Sequence, residues 1–130
     1  MTNYRKIILD ASAFIALISQ EPGAQVIESV MDNSIMSALN ASEVVKFLID
    51  KKGYLIDEAK GILNQLIGEI IPFTAEQAYH AAELYLANKE YGLSLADRAC
   101  LALSLVTGAP IYTADKIWSK VQGFHIILIR

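Results

Sequence analysis

The stretch "KIILDASAFIALISQ" (residues 6–20) sets the fold through a change of periodicity. "KIIL" (6–9) is a short apolar run of strand character, whereas "SAFIALISQ" (12–20) places its apolar residues at helical spacing. One acid, Asp10, stands directly at the end of the strand. The alternation then continues, with "SIMS" (34–37), "EIIPF" (69–73), "PIYT" (110–113) and "FHIILI" (124–129) reading as strands. Helices are predicted over "PGAQVIESVM" (22–31), with Pro22 in a first-turn position, and over "ASEVVKFLIDKK" (41–52), ending near Gly53. They are predicted again over "LIDEAKGILNQLIG" (55–68), "AEQAYHAAELYLANKEY" (75–91) and "LADRACLALSLVT" (95–107), with a short helix near "DKIWSKV" (115–121). Short strands separated by helices imply parallel pairing, because a parallel crossover needs a dozen or more residues and usually takes a helix. The expectation is one α/β layered domain over residues 1–130, without linker, repeat or low-complexity segment.

Composition agrees with a sheet covered on more than one side. Hydrophobic residues make up 54% of the 130 and charged residues 19%, a high apolar share for so small a domain. The opening "MTNYRKIILDASAFIALIS" has the outline of a secretory leader, but Asp10 in its midst argues against that reading. No run reaches the roughly 18 apolar residues of a membrane span, so no membrane role is expected. The single cysteine, Cys100, excludes an intrachain disulfide and reads as a small core residue, which makes a reducing cytoplasm the expected compartment. A formal charge of −3 does not advertise a nucleic-acid binder.

The placement of the acids is more telling than their number. Ten of the fourteen lie in polar or mixed company. Asp10 ends the first strand, Glu43 lies past the second in the opening turn of a helix, Asp115 follows "PIYT" by two residues, and Asp97 opens the "LADRACLALS" helix. In open parallel sheets the carboxyl ends of the strands and the helix starts that follow them share one edge, where ligands bind. That rule places three of the four on one rim. Asp97 belongs to a helix that follows another helix, and the rule does not reach it.

Helix capping competes for the same acids. "NASE" (40–43), "TAEQ" (74–77) and "SLAD" (94–97) all have the spacing of a cap and its partner three residues on, with Asn40 and Ser94 as caps. Four such acids in apolar surroundings nevertheless suggest a common site. Clustered carboxylates repel unless neutralised, and a hard divalent ion such as Mg²⁺ or Mn²⁺ takes oxygen ligands, keeps waters and bridges to phosphate. Such an ion lowers the pKa of a bound water and offsets charge on an attacked phosphate, the apparatus of phosphodiester hydrolysis. Setting the four aside leaves ten acids against eleven basic residues, which softens the objection from net charge. Lys46, Arg98, Lys116 and Lys120 lie close to the acids in sequence as candidate phosphate contacts, although Lys46 is equally an i,i+3 partner of Glu43.

Other chemistries lack their residues. His80 and His125 are far apart and without metal-ligand spacing, the glycines form no phosphate loop, and no G-x-S-x-G is present. A phospho-accepting receiver domain wants paired acids after its first strand, and Ala11 follows Asp10. An aspartyl phosphatase wants D-x-D, and Ser12 fills the second place. Trp118 and the six tyrosines read as core or interface, with Trp118 near enough to Asp115 in sequence for a contact.

Taken together, "IILDASAFIALI", "SALNASEV", "GLSLADRACLALS" and "PIYTADKIWSKV" resemble, in order and spacing, the PIN-domain ribonucleases, and within them the VapC-type toxins of toxin–antitoxin pairs. The resemblance covers nearly the whole chain. It implies a three-layer α/β/α sandwich around a small parallel sheet and a Mg²⁺- or Mn²⁺-dependent endoribonuclease. It also implies acidic metal-binding and catalytic residues at Asp10, Glu43, Asp97 and Asp115, so that Asp97 joins the cluster. Ser12 and Thr113 match hydroxyl positions that line such sites. An RNA substrate, a cognate antitoxin protein and a homodimer are further implications. The alternative is a catalytically silent PIN-like binding module, in which the acids cap helices and no turnover occurs.

Overall fold

A computed structural model describes residues 5–130; residues 1–4, where the leader-like stretch begins, lie outside the described residues. Five strands, β1 (Ile7–Leu9), β2 (Ser34–Ser37), β3 (Glu69–Ile71), β4 (Ile111–Thr113) and β5 (Ile126–Leu128), form one parallel sheet in the order β3-β2-β1-β4-β5. Ile8 at the centre pairs with Ile35 of β2 on one side and Ile111 of β4 on the other. A strand buried on both faces reads as an unbroken apolar run rather than an alternating one, which is why β1 is simply "IIL".

Successive side chains of β1 point to opposite faces, and each face has its own core. Ile7 and Leu9 join Phe14 and Leu17 of α1 (Ala11–Ile18), Ile27 of α2 (Ala24–Glu28), Val44 and Leu48 of α3 (Ala38–Lys52) and Leu63 of α4 (Ile56–Leu66). Ile8 and Ile35 join Cys100, Leu101 and Leu103 of α6 (Leu95–Thr107), together with Trp118, while Leu84 of α5 (Ala75–Ala87) packs at the edge of that cluster. The expected three-layer α/β/α sandwich is therefore present. No helix among the described residues is long and apolar enough to cross a membrane.

Several boundaries differ from the sequence reading, each for a local reason. The second helix covers only Ala24–Glu28, because Gly23 before it is left-handed (φ 98°) and backs onto the Ile129 carbonyl, which leaves Pro22 outside. α3 begins at Ala38 rather than 41, directly after β2, with the Ser37 hydroxyl accepting from the Leu39 N–H at 3.3 Å. β3 stops at Ile71 because Pro72 has no N–H for the ladder. α5 stops at Ala87, where the Asn88 side chain caps the Leu84 carbonyl at 3.0 Å, and a 3₁₀ turn (Lys89–Tyr91) completes the predicted segment. Residues 116–120 form a 3₁₀ turn in which Trp118 is fully buried, so its indole belongs to the core and not to the site near Asp115.

Candidate active site

From β1 the chain steps outward through β2 to β3, then crosses to β4 on the other side of β1. The order thus reverses between β1 and β4, and a crevice opens at the carboxyl ends of strands at such a switch point. Asp10 follows β1 and Asp115 follows β4, so these two acids flank the crevice.

Asp10 is the N-cap of α1, its Oδ1 accepting from the Ala13 N–H at 2.8 Å, and it is only 4% exposed. Two hydroxyls hold the carboxylate. Ser12 Oγ donates to it from 2.8 Å, and Thr113 Oγ1 donates to Oδ2. Each hydroxyl also accepts from the backbone beyond β4, Ser12 from the Ala114 N–H (2.9 Å) and Thr113 from the Asp115 N–H (3.1 Å). Ser12 and Thr113 therefore couple Asp10 to the loop that presents Asp115. Asp115 caps its 3₁₀ turn through the Ile117 N–H at 3.1 Å.

Asp97 reaches the same rim by a route the sequence reading did not use. α6 runs straight into β4 through a short turn closed by left-handed Gly108, so it lies antiparallel to the strands. Its 13 residues span about 20 Å, enough to place its first turn above their carboxyl ends. The expected capping box forms there, with Asp97 N–H to Ser94 Oγ at 3.1 Å and Ser94 N–H to Asp97 Oδ2 at 3.0 Å. The box engages one carboxylate oxygen, and Asp97 still lines the site cavity.

Glu43 corrects the sequence reading. It is the sixth residue of α3 and does not belong to the opening turn, and Asn40 is not a cap but a buried residue of the first turn. Glu43 nevertheless faces the crevice. Asp10, Ser12, Glu43, Asp97 and Asp115 line a single cavity of about 370 Å³, and Thr113 is buried behind Asp10. The far wall comprises Ile15 and α3 residues Lys46, Phe47, Asp50 and Lys51, of which only Lys46 was foreseen in sequence. Extending helical spacing from Glu43 to 46, 47 and 50 would have found most of it. Arg98 turns away, donating to the Ala81 carbonyl at 2.8 Å with its guanidinium over Tyr85, and neither Lys116 nor Lys120 lines the cavity.

The electrostatics follow from this crowding. Burial pushes the Asp10 carboxyl up to about 6 against its three hydrogen bonds, and the charge of Asp97 adds to the rise. Burial also raises Glu43, with Asp97 adding and the Asn40 amide and Lys46 opposing. Burial raises Asp97 as well, with Asp115 adding and the Ser94 hydrogen bonds and Arg98 opposing. Cys100, fully buried beneath the acids, has its thiol pushed well up by burial and by the carboxylates.

Such a site favours a group that brings positive charge. Its donors are all oxygen, which suits a hard divalent cation better than a thiolate- or imidazole-bound metal. Among the described residues no group of three or more His, Cys, Asp or Glu is arranged to hold an ion, so as placed these acids would not all ligate one ion directly, and some would act through its bound water.

Known proteins resemble this chain in sequence and in fold. Residues 7–123 match the PIN domain family. Ribonuclease VapC42 of Mycobacterium tuberculosis is 29% identical over 117 residues, covering 81% of this chain and 87% of that one. A toxin–antitoxin complex from Klebsiella pneumoniae shares the fold with a TM-score of 0.76 at 20% identity, covering 96% of this chain and 98% of its own. Mycobacterium tuberculosis VapC20, a sarcin–ricin loop cleaving toxin, does so with a TM-score of 0.75 at 21% identity, covering 92% and 96%.

Proposed function

Because the chain belongs to the PIN domain family, we propose that it is an endoribonuclease, hydrolysing RNA phosphodiester bonds with Mg²⁺ or Mn²⁺ held, directly or through water, by Asp10, Glu43, Asp97 and Asp115. Residues 1–130 act as one unit, the toxin of a toxin–antitoxin pair. The observation that carries this reading is the convergence of four acids from four separate elements on one cavity at the switch point of the sheet.

The bound ion would activate a water and offset charge on the attacked phosphate. The protein's own part is positioning. Ser12, Thr113 and the Ala13 N–H fix the Asp10 carboxylate before any ion arrives. Ser94 orients Asp97 through the capping box. Lys46 and Lys51 on the α3 wall offer positive charge to phosphates flanking the scissile one, and Ile15 and Phe47 give that wall an apolar surface.

An antitoxin partner is supported by exposed apolar side chains where α3 passes into α4, with Leu55 71% and Ile56 53% exposed. VapC20 is a sarcin–ricin loop cleaving toxin, and the Klebsiella structure is a toxin–antitoxin complex. Homodimerisation and a cytoplasmic location complete the proposal, the latter in keeping with a free buried cysteine.

The test is cleavage of a mixed-sequence RNA by purified protein with Mg²⁺, with Mn²⁺ and with excess chelator. Cleavage should need the ion and fall roughly 100-fold or more in Asp10→Asn. RNA binding without ion-dependent cleavage would return the protein to the silent binding module.

A further inference from the structure

Asn40 is a buried amide with an unusual pair of neighbours. It is 1% exposed, and its Nδ2 donates to Glu43 Oε1 at 3.3 Å and to the Ala96 carbonyl at 3.2 Å. Its own Oδ1 is buried without a partner. The two acceptors come from different helices. Glu43 is one turn further along α3, and Ala96 is the residue before Asp97 in the first turn of α6. A single NH₂ group therefore ties one acid of the site to the backbone that carries another.

The chemistry at this position is selective. Both neighbours offer only lone pairs, so the side chain must donate twice, and reversing the amide would set oxygen against oxygen at both contacts. A serine donates once; an aspartate of the same shape carries oxygen in place of the NH₂. An orphaned buried oxygen is costly and seldom tolerated, and here it accompanies the orientation that serves Glu43.

We propose that Asn40 is a positioning residue of the active site, fixing the Glu43 carboxylate relative to the α6 turn that bears Asp97 and so setting the spacing at which the acids receive a divalent cation. The proposal rests on the nuclease reading above for its kinetic consequence, but the linkage itself exists without ion or RNA.

A double-mutant cycle between Asn40→Ala and Glu43→Gln tests it, read by RNA cleavage, by Mn²⁺ calorimetry and by metal-free thermal melting. Asn40→Ala should lower kcat about tenfold to 100-fold with KM for RNA changed less than about twofold, and weaken Mn²⁺ binding by roughly tenfold or more. In the Glu43→Gln background the same change should cost less than about twofold, because the carboxylate it positions is gone. For melting the cycle uses Glu43→Ala, because a glutamine oxygen would still accept from Asn40 Nδ2; metal-free melting temperatures in that cycle should be non-additive by roughly 3 °C or more. Asn40→Asp, equal in size, should be at least as damaging as Asn40→Ala, and it carries the cycle should the alanine variant fail to fold. Equal losses in both backgrounds, or normal Mn²⁺ affinity and kcat in Asn40→Asp, would overturn the proposal. If the parent protein cuts no RNA, the nuclease reading fails on its own, while melting and Mn²⁺ binding still decide the role of Asn40.

Discussion

Asp10 carries two jobs in one carboxylate, starting α1 and facing a cavity shared with Glu43, Asp50, Asp97 and Asp115. Folding moves its pKa from 3.8 to about 6, so the folded protein holds this proton more tightly than the unfolded chain does. The stabilisation is complete below about pH 4 and disappears as pH rises through about 6, a loss of about 3 kcal/mol at most from this group. Metal-free urea denaturation between pH 4 and 7 should show that decline, and Asp10→Asn, which cannot ionise, should make it shallower, the remainder coming from Glu43 and Asp97. An unchanged slope in Asp10→Asn would mean that the charge is already relieved by another group. At this scale the sequence was generous: an acid closing a strand, a hydroxyl two residues on at Ser12 and another at Thr113 were all visible. Their hydrogen bonds across the switch point were not, because nothing in a linear spacing says that residues 12 and 113 meet at 3.2 Å.

Elements were legible where apolar periodicity was long and caps were strong, as in α6 with its Ser94 box and Gly108 stop. They were misread where two signals overlapped. The end of β2 runs into "NASE", where Asn40 reads as the cap, but Ser37 caps α3 instead because β2 passes into the helix without a loop, which moves Glu43 into the second turn. The junction between α4 and β3 shows how tight such transitions are. A Cβ on Gly68 would lie 2.6 Å from the Ser34 carbonyl oxygen, backbone that cannot swing aside, and the Gly68 N–H already bonds Ser34 Oγ at 3.1 Å. Gly61, inside α4, has nothing within 4 Å of the same position. Gly68→Ala should therefore destabilise by about 1–3 kcal/mol through strain between the starts of β2 and β3. Gly61→Ala should instead stabilise by about 0.5–1 kcal/mol through helix propensity. Urea midpoints of the two variants should move in opposite directions, and a shared direction would show that close approach at Gly68 does not govern that junction.

Across the whole molecule, one topological fact underlies the site: strand order reverses at β1 and β4, Asp10, Asp97 and Asp115 begin their elements at that edge, and Glu43 reaches it from the second turn of α3. The position of Asp97 was legible in principle, since a helix feeding a parallel strand through a short turn must start at that strand's carboxyl end. A rule confined to helices that follow strands overlooked it. If the proposed function holds, a divalent cation would relieve the repulsion among the acids gathered there, so cation binding should register in global stability. At an ion concentration 100 times the dissociation constant, linkage gives about 2.7 kcal/mol, or roughly 10 °C in Tm for a chain of this size. Mn²⁺ should raise the melting temperature by that order, and chelator should reverse it. Asp97→Asn separates the two duties of that side chain. Asparagine can still accept the Ser94 N–H through its side-chain oxygen, so the cap survives, and removing a charge raised by burial and by Asp115 should leave metal-free Tm unchanged or higher. The Mn²⁺-induced rise should shrink to less than about half in the same variant. A full Mn²⁺ shift in Asp97→Asn, or an equal loss of Tm with and without the ion, would show that Asp97 serves only to start α6.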